Sequence, residues 1–498
     1  MMDGRGKSDR PVVPGKPSNN AGSAAAEGVE GRGLAKGNGV QQTTRRTQSR
    51  IERVPSALDR VREVARQDKR MKFTGLLHHV TPELLHAAFS SLRRGAAPGV
   101  DGETWEHYAV EVEERLRDLH ERVQRGAYRA KPSRRVLIPK PDGRKRALGI
   151  AALEDKIVQR AVAEVLNAIY EKDFLGFSYG FRPGRSPHHA LDALATGILR
   201  KKVNWVLDAD IRGFFDTIDH GWLLRFVAHR TADQRILRLI QKWLSAGVVD
   251  EGRRLETEWG TPQGATISPL LANVYLHHVF DLWADEWRRR HARGDVVLVR
   301  FADDIVVGFQ HRSDAERFRE ALGERFAKFH LELHPEKTRL VEFGRFAAEH
   351  RQERSLGKPE TFDFLGFTHI CGKSRAGGFL LQRKTMRTRM RAKLRSVKAE
   401  LMRRRHLPIP KQGAWLASVV RGHLAYYAVP TNVFALVAFR REAVRHWRQA
   451  LRRRSQRGFV RWDRMSRLEK RWLPPARIQH PWPEQRFDVR TQGRSPVR

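Results

Sequence analysis

The chain has 498 residues, and its 95 lysines and arginines outnumber its 56 acidic residues, which gives a formal net charge of +39. Solubility does not need so large an excess, so the composition predicts a polyanionic partner whose phosphates release counterions when cations neutralise them. The single cysteine, Cys371, excludes an intramolecular disulfide and zinc sites built on paired cysteines, and no run reaches the roughly 18 apolar residues of a membrane-spanning helix.

Residues 1–55 form the first predicted segment, a disordered basic arm. Residues 1–50 are rich in Gly, Ser, Asn and Arg and contain no apolar stretch typical of a secretory signal. A mitochondrial transit peptide is the alternative interpretation. Transit peptides are poor in acidic residues, however, and this arm contains Asp3, Asp9, Glu27 and Glu30.

Residues 56 to about 375 predict a mixed α+β unit, because helical periodicity there is interrupted by short apolar strands. The best defined strands are 204–210 and the pair within 296–309, and residues 135–150 predict a hairpin that carries several cations. After residue 375 the pattern becomes helical and strongly basic. Helices are predicted from residue 56, after Pro82, and at 103–125, 154–171, 187–201, 221–245, 268–292 and 313–330, with further strands near 338–343 and 361–367.

Three aspartates stand where charge is costly. Asp210 ends an apolar strand, while Asp303 and Asp304 lie in a tight connection between two strands that we expect to be buried. An acidic pair in such a place needs a cation or a network of donors. Phosphoryl transfer to a 3′ hydroxyl commonly uses two divalent ions, and Mg²⁺ prefers carboxylate oxygens. Taken singly, the pair could instead be an ordinary hairpin turn, with Asp210 as a cap or ion-pair partner.

Eight motifs occur in order along the chain, and their combination is far more specific than any one of them. They are Ala97-Pro-Gly-Val-Asp-Gly102, Ile138-Pro-Lys-Pro-Asp-Gly143, Tyr179-Gly-Phe-Arg-Pro-Gly-Arg-Ser186, Asp210-Ile-Arg-Gly-Phe-Phe-Asp216, Gly260-Thr-Pro-Gln-Gly264, Phe301-Ala-Asp-Asp304, His334-Pro-Glu-Lys-Thr338 and Phe362-Asp-Phe-Leu-Gly-Phe367. The series resembles the reverse transcriptases of group II intron-encoded proteins, from about residue 56 to the C-terminus. The resemblance implies an α+β right-hand polymerase, with fingers and palm over 56–375 followed by an all-helical thumb.

The resemblance also implies a catalytic centre. It makes Asp210, Asp303 and Asp304 the metal-binding triad of the palm, which would hold two Mg²⁺ ions. Lys337 resembles the lysine proposed to protonate the leaving pyrophosphate. An exposed lysine is otherwise only solvated.

Residues that would contact the nucleotide and the template follow from the same resemblance. Phe215 resembles the steric gate that excludes a 2′ hydroxyl, and without the motif it would be an ordinary core residue. Lys140 and Arg146 resemble finger residues that clamp the triphosphate, with a solvated charged hairpin as the alternative. Gln263 resembles the residue beside the nascent base pair. Arg182 is expected to contact the template or to anchor the fingers.

The basic C-terminal region resembles the maturase-specific thumb, often called domain X, over residues 376–454. Along one predicted helix, Arg387, Arg391 and Arg395 run beside an apolar stripe, so the helix can pack and still face phosphate. A solvated charged face is the alternative interpretation. We expect four further residues to bind RNA, since they combine cations with aromatic faces that suit unpaired bases: Arg421, His423, Tyr426 and Tyr427. Residues 455–498 resemble the short, basic, DNA-binding-like ending of bacterial members without an endonuclease domain.

The sequence therefore predicts a bacterial, cytoplasmic RNA-directed DNA polymerase. It would bind its group II intron RNA, assist splicing, and copy that RNA into cDNA from deoxynucleoside triphosphates and a target DNA primer during retrohoming. One alternative is an RNA-binding splicing factor whose polymerase site is vestigial. A second is a domesticated reverse transcriptase of host defence or repair, against which the Tyr426-Tyr427 region argues. No membrane partner is expected, and the oligomeric state is left open.

Overall fold

The computed structural model describes residues 56–139, 145–250, 252–255, 259–261, 264–455 and 459–491. It divides into two compact units. The larger unit contains the described residues of 46–136, 147–382 and 482–498, and the smaller contains those of 137–146 and 383–481. The arm predicted for 1–55 lies outside the described residues. Among the described helices, none is long and apolar enough to cross a membrane.

The described helices follow the predicted order closely. They are α1 (Ser56–Gln67), α2 (Pro82–Ser91), α3 (Trp105–Tyr108), α4 (Val112–Gln124), α5 (Leu153–Asp173), α6 (Pro187–Arg200), α7 (Phe214–Thr217), α8 (His220–Ala228), α9 (Gln234–Ser245), α10 (Ser268–Leu276), α11 (Leu282–Arg290), α12 (Arg312–Ala327), α13 (Ala347–Glu353), α14 (Arg387–Arg403), α15 (Ile409–Tyr427), α16 (Val433–Arg452), α17 (Trp462–Trp472) and α18 (Pro483–Thr491). A π-helical turn, His277–Asp281, separates α10 from α11.

The strands confirm a mixed α+β chain. They are β1 (Ser133–Pro139), β2 (Lys145–Ile150), β3 (Trp205–Ala209), β4 (Val248–Asp250), β5 (Arg253–Leu255), β6 (Val296–Phe301), β7 (Asp304–Phe309), β8 (Arg339–Glu342), β9 (Phe362–Phe364), β10 (Phe367–Lys373) and β11 (Phe379–Thr385). They form three sheets, ordered β2-β1-β4-β5, β11-β10-β9 and β6-β7-β3-β8. We call the last of these the central sheet.

The central sheet is antiparallel at every junction and carries the predicted strands 204–210 and 296–309. Its β6 and β7 are buried along almost their whole length. Helix α6 packs closely on β6 at Gly197. A Cβ added there would lie only 2.6 Å from the Cγ1 of Val297. Because β6 and β7 are buried, their side chains are mostly apolar. The charged residues at the ends of these strands are therefore exceptional.

The smaller unit has a helical core that extends beyond the predicted thumb. Trp447 is fully buried, and its Nε1 donates to Oε1 of Gln412 at 2.9 Å. Met465 and Leu473 belong to the same apolar cluster, and a Cβ on Gly413 would lie 2.6 Å from the ring of Trp472. Residues 459–473 thus complete this core, so the helical unit extends beyond residue 454, where the predicted thumb ends. The DNA-binding-like character predicted for residues 455–498 stays a prediction.

The last described helix, α18, belongs to the larger unit and packs on α6. Arg486 pairs there with Asp192, whose side chain is almost fully buried. Phe487 is buried as well. These contacts give the end of the predicted tail a packing role too.

Candidate polymerase site

The central sheet brings the three predicted aspartates to one end. In the β3–β7 ladder the last pair is Ala209 with Ile305, so the next residues along the two strands are Asp210 and Asp304. Asp303 lies in the two-residue turn between Phe301 and Asp304, which pair across the β6–β7 hairpin. All three aspartates are half-buried. Residues far apart in sequence thus lie at the same end of neighbouring strands.

The chemistry of these carboxylates suits Mg²⁺, which prefers hard oxygen ligands. In the described part of the chain, no three His, Cys, Asp or Glu side chains are grouped closely enough to hold a metal ion. Mg²⁺ usually takes one or two carboxylates and completes its coordination with substrate phosphates and water. The arrangement around Asp210 and Asp304 fits that incomplete kind of site.

Asp210 is held by the segment that contains the His334-to-Thr338 motif. The backbone N–H of His334 donates to the Asp210 carbonyl oxygen at 2.8 Å, and Ile211 forms a β-bridge with Leu333. Lys337, which is half exposed, places its Nζ 2.7 Å from Oδ2 of Asp210. The ammonium group therefore compensates the charge of the carboxylate directly.

Asp208, an acidic residue on β3, was not among the predicted site residues. Burial raises the pKa of Asp208 to about 7, and Arg339 on the neighbouring strand only partly opposes this rise. The carboxylates of Asp210 and Asp363 push the pKa upward as well. The signal was present in the sequence, because residues two apart on a strand share a face and Asp208 stands two before Asp210.

Gly260 and Thr261, which begin the Gly260-to-Gly264 motif, pack directly against the backbone of Phe215. The N–H of Thr261 donates to the Phe215 carbonyl oxygen at 2.8 Å. A Cβ on Gly260 would lie 2.8 Å from that same oxygen, and Gly260 has the left-handed φ of 84°. The Phe215 ring is buried and meets Phe214 edge to face. The position of Phe215 is thus fixed through its main chain.

A buried ion pair lies beneath the Asp303 turn, and it too was missed from the sequence. Arg300 on β6 and Asp281 in the π-helical turn are both fully buried, with Nη2 of Arg300 2.6 Å from Oδ2 of Asp281. Burial alone would raise the pKa of Asp281, but the Arg300 guanidinium holds it below its usual range. Asp281 is therefore stabilised as a carboxylate in the core.

Arg182 is buried and anchors a loop. Its side chain is buried, and Nη1 donates to the carbonyl oxygens of Leu175 and Ser178, each at 2.8 Å. Nη2 pairs with Glu171 at 3.1 Å. We therefore correct the assignment of Arg182 to the template-binding set and retain the alternative of an anchor.

The predicted RNA-binding residues of the smaller unit divide into exposed and buried groups. Arg387, Arg391 and Arg395 are exposed along α14, and Arg421 is exposed on α15. Tyr427 is half-buried. The exposed arginines have the accessibility that phosphate contact needs.

His423 and Tyr426 are buried in the same unit and require a correction. His423 is 6% exposed and stacks on Phe439 with ring centroids 3.6 Å apart. Tyr426 is 2% exposed. Neither ring can stack on an unpaired base without leaving the core, so both are packing residues.

Three residues predicted to contact the nucleotide lie wholly or partly outside the described part of the chain. Lys140 and Gln263 lie outside the described residues. Arg146 belongs to β2, but its side chain is outside the described part of the chain. Their roles stay predictions.

The chain is similar in sequence to reverse transcriptases and to intron-encoded proteins. Residues 138–369 match the family model described as "Reverse transcriptase (RNA-dependent DNA polymerase)". Protein YkfC of Escherichia coli is 33% identical over 350 residues, which are 63% of this chain and 87% of that protein. Group II intron-encoded protein LtrA of Lactococcus lactis is 34% identical over 227 residues, 45% of this chain and 37% of its own length. An uncharacterized 91 kDa protein in the cob intron of Schizosaccharomyces pombe is 45% identical over 148 residues, 30% and 18% of the two chains.

The burial of His423 predicts a pH effect on stability. Burial lowers the pKa of His423 from 6.5 to about 3. The unfolded chain takes up this proton below about pH 6.5, whereas the folded chain does so only near pH 3, so stability should fall as the pH drops through that window. Replacing His423→Phe keeps a ring against Phe439 and should reduce that loss, as measured by urea unfolding between pH 7 and pH 4. Affinity for RNA at pH 7.5 should stay unchanged, and a fall in affinity with intact folding would restore His423 to the binding set.

Proposed function

The chain belongs to the family of group II intron reverse transcriptases and maturases, and from this premise we propose that it copies its intron RNA into cDNA and assists the splicing of that RNA. The observation that carries the proposal is the position of Asp210 beside Asp304 at one end of the central sheet. This is where a polymerase would need acidic groups to engage a primer end and a nucleotide. The chain spans only 37% of the lactococcal protein, so its substrates and partners are part of the proposal.

We assign the fingers and palm to residues 56–375 and the thumb to the helices that begin at α14. A bound triphosphate would add phosphate oxygens to these carboxylates, which matches the way Mg²⁺ binds in polymerases. Two bound Mg²⁺ ions would activate the primer hydroxyl and stabilise the leaving pyrophosphate. Asp210, Asp303 and Asp304 would hold these ions.

The protein's own groups have separate tasks in this proposal. Lys337 pairs with Asp210, which places its ammonium group at the carboxylate site. In this proposal Lys337 donates a proton to the leaving pyrophosphate. Phe215 limits the space at the 2′ position of the incoming sugar. Gly260 and Thr261 fix the backbone of Phe215, and Phe214 packs edge to face against its ring.

The smaller unit supplies the proposed RNA-binding surface. The exposed Arg387, Arg391 and Arg395 recur at intervals of four residues, so they form one cationic stripe along α14. Phosphate contacts of this kind position an RNA without reading its sequence. Retrohoming would then follow when a target DNA primer enters the same site.

The central prediction concerns the Asp303 carboxylate. Asp303→Asn removes a charged ligand with almost no change of volume, so primer extension on an RNA template should fall by at least about a thousandfold. The surface change Asp118→Asn is the control and should leave extension unchanged. Extension at the normal rate by a homogeneous, folded Asp303→Asn protein would contradict the assignment of the site.

The sugar-selection role of Phe215 can be separated from its packing role. Phe215→Val should raise the incorporation of ribonucleotides relative to deoxynucleotides by roughly 10- to 100-fold, because it opens space worth about one or two methylene groups. The buried neighbour Phe214 offers a matched control. Phe214→Val should lower thermal stability and leave the ratio of incorporation rates alone. Equal ratios for both variants would remove Phe215 from the nucleotide site.

The cationic stripe predicts a salt-dependent loss of RNA affinity. Changing Arg387, Arg391 and Arg395 together to Gln should make the plot of log affinity against log salt shallower by about two units, because each phosphate contact contributes roughly 0.7. A control protein with Gln at the exposed Arg289, Arg290 and Arg293 carries the same net charge. If both triple variants show the same slope, the effect is one of total charge and the stripe is not the RNA contact.

A further inference from the structure

The guanidinium of Arg300 uses all five of its N–H donors inside the core. Nε and Nη2 each donate to Asp281 at 2.6 Å, and Nη2 also donates to Oγ of Ser178 at 2.7 Å. Nη1 donates to Oδ1 of Asn273 at 3.1 Å and to the carbonyl oxygen of Ala302 at 3.0 Å. An arginine has five such donors, so none is left over. The last of these bonds reaches into the turn that carries Asp303.

Such a network is a poor device for stability alone. Replacing a buried ion pair by apolar side chains of similar volume is often neutral or stabilising, whereas losing one partner is strongly destabilising. The network is therefore better explained by the geometry that it imposes. That geometry converges on Ala302 and hence on Asp303.

The turn itself has a backbone that needs support. Ala302 has φ of 56°, in the left-handed region that residues with a side chain rarely adopt. Strained residues of this kind persist where the surroundings fix them, and they are concentrated at active sites. The Arg300 bond to the Ala302 carbonyl is one such restraint.

The neighbouring loop supplies a second restraint. The backbone N–H of Arg300 donates to the carbonyl oxygen of Phe177 at 2.9 Å, and the backbone N–H of Tyr179 donates to the carbonyl oxygen of Arg300 at 2.8 Å. The loop that contains Phe177 and Tyr179 thus pairs with β6. A Cβ on Gly180 would collide with the backbone nitrogen of Ala302. Nδ2 of Asn273 holds this glycine through its carbonyl oxygen at 2.7 Å. Asn273 thus joins the loop to Arg300.

The π-helical turn explains how Asn273 and Asp281 both reach Arg300. In a regular α-helix, residues eight apart point about 80° away from each other, since each residue turns the helix by about 100°. The wider turn at His277–Asp281 inserts an extra residue and reduces that offset. π-Helical turns occur frequently at functional sites. This one serves to complete the shell of acceptors around the guanidinium.

We propose that Arg300 is a positioning residue which, through the Ala302 carbonyl, sets the Asp303 carboxylate in the geometry that binds a divalent cation. The inference rests on the proposed polymerase site. It adds a role for a group that never touches the substrate. Losing the network should therefore weaken cation binding more than it weakens nucleotide binding.

The test compares Arg300→Lys with a matched variant, Arg230→Lys. Arg230 is also almost fully buried, pairs with Asp173 at 2.9 Å and donates to the carbonyl oxygens of Asp68 and Met71. It lies outside the candidate site, so it reports the general cost of shortening a buried arginine. Both variants should lower the temperature of unfolding.

Only Arg300→Lys should change the response to metal. The Mg²⁺ concentration for half-maximal primer extension should rise by about 10- to 100-fold, as when a group that orients a metal ligand is lost. The KM for deoxynucleotide at saturating Mg²⁺ should stay within about twofold of the wild-type value, and excess Mg²⁺ should restore much of the rate. Mn²⁺ binding to the protein with a primer and RNA template, measured by electron paramagnetic resonance, should weaken in parallel.

A double variant guards against a protein that fails to fold. Arg300→Met with Asp281→Leu removes both charges together and is expected to keep the fold. It should show the same weakened binding of Mn²⁺. If Arg300→Lys and the double variant both keep the wild-type Mg²⁺ midpoint and Mn²⁺ affinity, the inference is overturned. Retained extension by Asp303→Asn would instead overturn the polymerase site itself, so the two failures are distinguishable.

Discussion

Acidic side chains gathered at one end of a sheet repel each other, and the larger unit depends on holding them there despite that repulsion. Burial raises the pKa of Asp208 to about 7, and the nearby Asp210 adds to this rise. Lys337 offsets the repulsion on one side by pairing with Asp210. Carboxylates gathered in this way are suited to accept Mg²⁺ that arrives with a substrate.

Main-chain contacts fix the position of this cluster more than side-chain packing does. The register of β3 against β7 sets Asp210 beside Asp304, and the N–H of His334 holds the Asp210 backbone. At Gly180 and Gly260 the absence of a Cβ lets loops approach the Ala302 turn and Phe215. The Arg300 side chain adds to these contacts through its hydrogen bond to the Ala302 carbonyl oxygen. The reactive groups therefore stay in place only while this backbone and its few side-chain restraints are kept.

The elements of the site were predictable from sequence because they follow local patterns. Apolar runs identified β3, β6 and β7, and the charged residues at their ends marked Asp210 and Asp303. The order of the motifs then indicated the family. Asp208 escaped notice although period two on a strand would have placed it beside Asp210.

The burial of individual side chains and their hydrogen-bond partners were much harder to predict, because both depend on residues that are distant along the chain. Arg300 finds its acceptors on Ser178, Asn273 and Asp281, and no local pattern connects these positions. Arg182 and His423 have the composition of nucleic-acid contacts, but their neighbours enclose them. Residues 459–473 are basic in composition yet contribute Met465 and Leu473 to the core of the smaller unit. A charged residue in an apolar segment thus indicates that a partner is needed, but the sequence does not identify that partner.

The full use of the Arg300 donors also bears on the order in which the protein folds. Its acceptors come from the loop before α6, from α10, from the π-helical turn and from the β6–β7 hairpin. A chain in which any of these is still unformed would bury an unpaired guanidinium group, and the cost of doing so keeps the hairpin hydrated. The acidic turn should therefore reach its final shape late, with the closure of the core. An incompletely folded chain would then lack a formed catalytic centre.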